Sequence, residues 1–312
     1  MKSVQIVVAL GATVFGAGVL LYIYKRRKDN FSKPSDKDWQ YAGTLEEIIL
    51  YPIRSCYGIE LNEASCKKNG IQCGDLKDRQ LFLVDDQNTP LFAGSHPKMW
   101  QIKSKLIDID EIEVTAPNME PLVLNIHKIT YGRKEVIKCY GGSSISVIEC
   151  DSEYGNWFSK FLLQKESGLT LFVCPFLGKI PFRKNLDLNP YMVMVDESIK
   201  DLNNRLPNKV HHWQFRGNFL IKNTNLPAFS EDNWKWMRIG NETIFRYKAP
   251  CYRCILPNVN PFTCERSPEF EPLKTLKKYR MKPGQIEPEM GIYFNIHKEG
   301  VIKLGDEVYV II

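Results

Sequence analysis

The chain has 312 residues, 44% hydrophobic and 25% charged, with a formal net charge of +6. That composition is globular, long enough for two modest domains, and excludes a collagenous, low-complexity or disordered chain. The charge is uneven: Lys2, Lys25, Arg26, Arg27 and Lys28 against Asp29 leave residues 1–30 at +4, so the body is near neutral and lacks the basic stripe of a nucleic-acid binder.

Val4 to Tyr24 is an apolar run of 21 residues followed at once by Lys25-Arg26-Arg27-Lys28. As a helix it spans about 31 Å, the thickness of a bilayer core. A cleaved signal peptide is the rival reading, but the apolar run is too long for one. A basic stop also stands where a cleavage site belongs. Residues 1–28 are therefore predicted to be a signal-anchor with its basic flank, one transmembrane helix that leaves the body on the cytosolic side. Residues 29–43 read as a linker. Nine cysteines without framework spacing suit a reducing compartment.

The body reads as mostly strands. Short β-type runs, broken by Gly, Asn, Asp and Pro, are expected at 46–53, 80–84, 111–115, 121–126 and 135–140, then at 191–195, 218–222, 242–247, 293–297 and 307–312. Two helices interrupt them. Tyr154, Trp157, Phe158, Phe161 and Leu162 give residues 152–163 an apolar face of helical period, and Ile199, Leu202 and Leu206 do the same for 197–206. Gly300 to Val310 reads as a hairpin turning at Gly305-Asp306. The expected fold class is mainly β with an α/β N-terminal part. The polar stretch Gln164 to Gly168 separates a first domain, 44–165, from a barrel-like second one, 166–312.

Pro250-Cys251-Tyr252-Arg253-Cys254 carries the chemistry. A thiolate is a soft metal ligand, and an adjacent arginine favours it over the thiol. Strand-like residues on both sides, 242–247 and Ile255-Leu256, are expected to hold the sulfur rigidly. A buried cysteine serving only as a small hydrophobe is the plain alternative. A thioredoxin-type pair needs a helix after the motif, and zinc needs a second ligand pair; neither pattern is present. Arg54-Ser55, Asp78-Arg79 and Phe215-Arg216-Gly217-Asn218 are three further arginine-bearing loops. Together with a cysteine they suit a large anionic cofactor. The only G-x-G, Gly16-Ala17-Gly18, lies inside the apolar run, so the chain has no nicotinamide fingerprint of its own.

Tyr51-Pro52-Ile53-Arg54-Ser55-Cys56, Asp78-Arg79, Phe215-Arg216-Gly217-Asn218 and Cys251-Tyr252-Arg253-Cys254 stand in the order and spacing of the MOSC-domain family. The chain resembles the amidoxime-reducing branch of that family along nearly its whole length. The resemblance implies a MOSC β-barrel domain preceded by a MOSC N-terminal domain, holding a pterin-based molybdenum cofactor (Mo-molybdopterin). It implies Cys254 as catalytic residue and molybdenum ligand, and cofactor contacts from Arg54, Ser55, Arg79, Arg216, Asn218, Tyr252, Arg253 and Tyr293. Pyridoxal phosphate binding is also associated with the family. The implied activity is reduction of small N-hydroxylated compounds, with electrons from NADH through cytochrome b5 reductase and cytochrome b5. The implied location is the mitochondrial outer membrane, with another cytosol-facing membrane as the alternative. Lys274, Lys277 and Lys278 are candidates for a basic rim that meets the acidic haem protein, with a solvated helix face as the alternative reading of each.

Two other readings belong beside this one. MOSC domains also occur in sulfurases, where Cys254 would carry a persulfide, and a barrel that binds without turnover is the third. The departures from the family pattern bear on that choice. Arg54 stands where lysine is common, Gly94 where arginine is expected, Leu188-Asn189 where a hydroxyl pair precedes Pro190, and Tyr252 where serine is usual. Pro257-Asn258-Val259-Asn260 replaces Thr-Thr-Val-Asp.

Overall fold

The computed structural model describes residues 35, 38–129, 133–138, 144–174, 191–223 and 226–312. The Val4–Tyr24 run, Leu188-Asn189 and Cys139 lie outside them. Among the described residues no helix is long and apolar enough to cross a membrane.

Seven strands close into a barrel. In chain order they are β1 (Gln40–Leu50), β2 (Tyr191–Val195), β3 (Phe219–Asn223), β4 (Trp236–Ile239), β5 (Thr243–Tyr252), β6 (Glu289–Lys298) and β7 (Glu307–Ile311). Around the barrel they run β3, β2, β6, β5, β4, β7, β1, and β1 pairs back onto β3. Only the β2–β3 pairing is parallel. A parallel pair needs a crossover, and the helix α2 in this connection (Asp196–Arg205) supplies one.

The sequence of β2, Tyr-Met-Val-Met-Val, explains itself in this setting. All five residues are buried. Tyr191, Val193 and Val195 join the main core with Phe219, Phe245 and Phe294. Met192 and Met194 point the other way, into a second cluster with Ile199 and Leu202 of α2 and Leu273 and Leu276 of α3 (Leu273–Tyr279). A strand covered on both faces reads as a continuous apolar run.

Three smaller sheets are found among the described residues, one of them Gly300–Lys303, Glu63–Lys67, Gly70–Cys73 and Leu76–Lys77. A second joins Arg133–Lys138, Ser144–Glu149, Leu169–Val173 and Leu81–Asp85, and the third is the meander Lys103–Leu106, Glu111–Thr115, Leu122–Asn125. The helix α1, Ser152–Leu163, packs on Leu169–Val173 so closely that a Cβ on Gly155 would meet the Leu169 carbonyl oxygen at 2.2 Å. That strand follows the polar 164–168 stretch yet pairs with Leu81–Asp85. β1 lies in the barrel, so the chain passes between the two groups of sheets more than once.

Two sequence expectations fail. Gly300–Lys303 and β7 are strands, but they do not form a hairpin. Gly300–Lys303 pairs with Glu63–Lys67, whereas β7 pairs with β1 and β4. The turn at Gly305 (φ +82°) sends the chain from one sheet to another, and the Asp306 carbonyl accepts from the Leu45 amide. Ile255-Leu256 is also not strand. β5 continues past Tyr247 to Tyr252 through register shifts around Pro250, a proline tolerated because a bulge needs no ladder N–H there. Beyond Cys254 the chain curls into a 3₁₀ turn, Leu256–Asn258.

Candidate functional site

The ends of β1 and β5 and the starts of β2, β3 and β6 meet at one rim of the barrel. A cavity of about 230 Å³ opens there. Arg54, Ser55, Arg79, Arg216, Tyr252, Arg253, Cys254 and Tyr293 all line it. The ninth expected residue, Asn218, is fully buried beneath them. Its Nδ2 donates to the Ile49 carbonyl at 3.1 Å, and its Oδ1 accepts from the Met192 amide at 3.2 Å and from Arg79 at 3.4 Å. Asn218 therefore ties β1, β2 and the Arg79 loop together and acts on the cavity through Arg79.

The loops hold the arginines in conformations an ordinary residue avoids. Ser55, Arg79 and Arg216 have φ of +68°, +55° and +55°. Left-handed backbone at non-glycine residues costs energy and collects at functional sites. Here the surroundings fix it. Asp78 Oδ1 accepts from the Tyr51 amide at 2.8 Å, the Arg79 amide donates to the Tyr51 carbonyl at 2.6 Å, and Asp78 pairs with the Arg79 guanidinium. Arg79 Nη2 donates to the Arg216 carbonyl at 3.1 Å, and Arg216 Nη1 donates to the Cys56 carbonyl at 2.7 Å. Tyr51 is sandwiched between them, its ring 4.1 Å from the Arg216 guanidinium and 5.0 Å from that of Arg79.

Positive charge is concentrated and under-neutralised. Burial, and then the charge of Arg79, hold both Arg54 and Arg216 down at about 10. Arg79 is raised: burial, the largest single effect, opposes its charge, and the Asp78 carboxylate together with Tyr51 and Tyr293 outweighs it. Arg253 is buried, and its guanidinium donates to the Phe215 and Met290 carbonyls, an anchor on neutral groups. Those donors are engaged with the barrel wall. Arg216 Nη2 is buried and has no partner among the described residues. An orphaned guanidinium nitrogen among disfavoured charges is what an incoming oxyanion would satisfy.

The two cysteines of the motif differ. Cys251 is 1% exposed on β5 and burial raises its thiol. Cys254 lies past the strand end, and among the described cysteines it alone is exposed. No three His, Cys, Asp or Glu side chains among the described residues cluster as a metal cage. A metal at this site would take one thiolate from the protein and must arrive with its other ligands attached. The donor set, one accessible sulfur beside a pocket of arginines, fits a molybdenum ion carried by an anionic pterin. The cavity lining contains no lysine, so it offers no amine for pyridoxal phosphate.

Sequence reasoning missed the cavity's neutral walls. Phe92, Met192, Gln214 and Leu256 also line it, beside Pro257, one of the departures from the family pattern. Gln214 Nε2 donates to the Pro257 carbonyl at 2.7 Å and fixes the turn after Cys254. Nothing in a single sequence marks such residues. The carbonyl of Gly94 accepts from the Arg266 guanidinium.

Residues 184–309 match the MOSC domain and residues 42–165 match the MOSC N-terminal beta barrel domain. The chain belongs to the MOSC-domain family. Within it, the likeness runs along most of the chain to the mitochondrial amidoxime reducing components. Component 2 of Macaca fascicularis is 30% identical over 97% of this chain and 91% of its own length. Component 2 of Homo sapiens is 31% identical over 86% of this chain and 84% of its own. Human component 1 is 31% identical over 87% and 84%.

Proposed function

We propose that the protein is a molybdenum-cofactor enzyme that reduces N-hydroxylated compounds such as amidoximes. The observation that carries this reading is the convergence of four arginines and one exposed thiol on a single cavity, in a chain whose relatives are named for amidoxime reduction. Arg54, Arg79 and Arg216 would hold the anionic groups of the cofactor, Arg216 through its orphaned nitrogen. Cys254 would supply the thiolate. Tyr252 and Tyr293 flank the lip, and Asn218 positions Arg79 from below. Bound there, the cofactor supplies the two-electron centre at which an N–O bond is reduced and water is released.

The chain lacks a nicotinamide fingerprint, so the electrons come from outside. The proposed donors are NADH, cytochrome b5 reductase and cytochrome b5, the last docking near Cys254. Lys274, Lys277 and Lys278, the proposed basic rim, are all exposed on α3, and the first two line a cavity that shares Cys254 with the arginine pocket. The Val4–Tyr24 run is proposed to anchor the protein in the mitochondrial outer membrane, body toward the cytosol, in keeping with relatives named as mitochondrial.

The test is molybdenum analysis of the purified protein together with benzamidoxime reduction in the presence of cytochrome b5 and its reductase. One molybdenum per chain and NADH-dependent formation of benzamidine are expected. A persulfide on an accessible Cys254, with no molybdenum, would make the protein a sulfur carrier instead.

A further inference from the structure

Arg253 and Cys254 also line a second, larger cavity of about 530 Å³. It is unlike the arginine pocket. Ile255, Phe270 and Ile286 form an apolar wall, and they are 42%, 61% and 85% exposed. Large apolar side chains left this open, around a cavity that ends at the reactive sulfur, suit an apolar body that covers them. The polar groups of the cavity are nearly all of one kind. Lys274 and Lys277 stand one turn apart on α3, and neither has an ion-pair partner among the described residues. Asn258 is 2% exposed, its Oδ1 accepts from the Leu273 amide at 3.2 Å, and its Nδ2 is a buried donor with no partner among the described residues. Glu287 is the single carboxylate in the lining, and it has contacts of its own.

From this we infer that the second cavity is a substrate-orienting site for molecules with an apolar, aromatic-sized body and a carboxylate end. The body lies on Ile255, Phe270 and Ile286, the carboxylate meets Lys274, Lys277 and the Asn258 amide, and the N–O group is presented at Cys254. A carboxylate gives the Asn258 donor the partner it lacks in the free protein, and a neutral substrate gains nothing there. The inference rests on the proposed reductase activity and refines its substrate class.

The test compares benzamidoxime with 4-carboxybenzamidoxime on the full chain, by turnover and by equilibrium binding. KM and Kd are expected to be about fivefold or more lower for the carboxylate, the scale of a partly exposed charge pair. The Lys274→Ala/Lys277→Ala variant should bring the ratio of the two substrates to one in Kd and in KM, a ratio that any change in electron delivery common to both substrates leaves untouched. Equal constants for both substrates in the parent protein would overturn the inference and leave the reductase intact. A preference that survives in the double variant would also overturn it, because the arginine pocket would then be reading the carboxylate. Loss of molybdenum from the double variant would assign the lysines to the cofactor and overturn it likewise. If neither substrate turns over while the carboxylate still binds more tightly and the double variant abolishes this, the reductase reading fails and the binding site stands.

Discussion

Cys251 and Cys254 are three residues apart and sit in opposite environments: Cys251 is buried in β5 with its thiol pushed up, and Cys254 is exposed past the strand end. The bulge at Pro250 brings the end of β5 to the cavity lip, and the 3₁₀ turn that follows adds Leu256 and Pro257 to the cavity wall. The motif thus places one sulfur in the wall and one in the opening.

The first prediction follows directly. Cys254→Ala should lose bound molybdenum and activity, since no other exposed thiol is described near the cavity. Cys251→Ala removes a small apolar group and should keep most of both, with a stability loss of about 1 kcal/mol. Iodoacetamide should alkylate Cys254 first in cofactor-free protein. Molybdenum content and peptide mass mapping check the pair; retention of metal in Cys254→Ala would remove the thiolate ligand.

The arginines give the second. Each charge-assisted hydrogen bond to a buried anion is worth about 1.5–3 kcal/mol, about a tenfold or greater loss of occupancy at limiting cofactor. Arg54→Ala, Arg79→Ala and Arg216→Ala should each show it. Arg216 carries the orphaned nitrogen, and its removal also frees the Cys56 carbonyl, so its loss should be the largest. Unchanged occupancy in all three would reduce them to wall residues. Asn218→Ala should act at one remove, loosening Arg79 and lowering thermal stability at the same time.

How far the sequence carried the fold depends on how local the signal was. The helix Ser152–Leu163 was legible to the residue because its apolar face has an unbroken helical period. β2 was legible because both its faces are buried, and Glu111–Thr115 because its alternation is strict. The Gly300–Val310 hairpin was misread because a turn glycine between two strands reports where the chain bends and not which sheet each strand joins. The site was different again. Arg54, Arg79 and Arg216 lie on three loops far apart in sequence; their residue types suggested a shared anionic ligand, and the family resemblance supplied the spacing that joins them. Asn258 and the lysines of α3 carried no local signal for a cavity, since that depends on the flap bearing Ile286 folding back beside Cys254.

The third prediction is a pH dependence of stability. Glu231 is fully buried, and burial raises its carboxyl from 4.5 to about 7. Its Oε2 accepts from Ser198 Oγ at 2.9 Å, and Oε1 has no partner among the described residues. The folded state therefore holds this proton more tightly than the unfolded chain does. Its contribution is fully present below about 4.5 and is lost as pH rises through about 7. A shift of this size corresponds to about 3 kcal/mol. Glu231→Gln keeps the acceptor for Ser198 and removes the titration. The stability of the variant relative to the parent should rise between pH 5 and pH 8, as measured by urea unfolding at each pH. A constant difference across that range would show that the carboxyl does not titrate there.

The last prediction concerns electron delivery. Reduction of an N–O bond takes two electrons, and a one-electron haem donor must dock twice within reach of the metal. The proposed docking near Cys254 would bring an acidic partner over α3, where Lys278 is exposed and lies outside the second cavity's lining. Attraction between exposed charges raises the encounter rate and fades with salt, because the screening length falls from about 10 Å at 0.1 M to about 3 Å at 1 M. Turnover driven by cytochrome b5 should therefore fall steeply over that range. Turnover driven by a small neutral chemical reductant should barely change. Lys278→Glu should weaken the cytochrome-driven rate at low salt and flatten its salt dependence, while the rate with the neutral reductant stays as it was. Mutating Lys278 separates steering from substrate binding, since that residue does not face the carboxylate site argued above. An identical salt profile for the two donors would place the electron entry on another face of the protein.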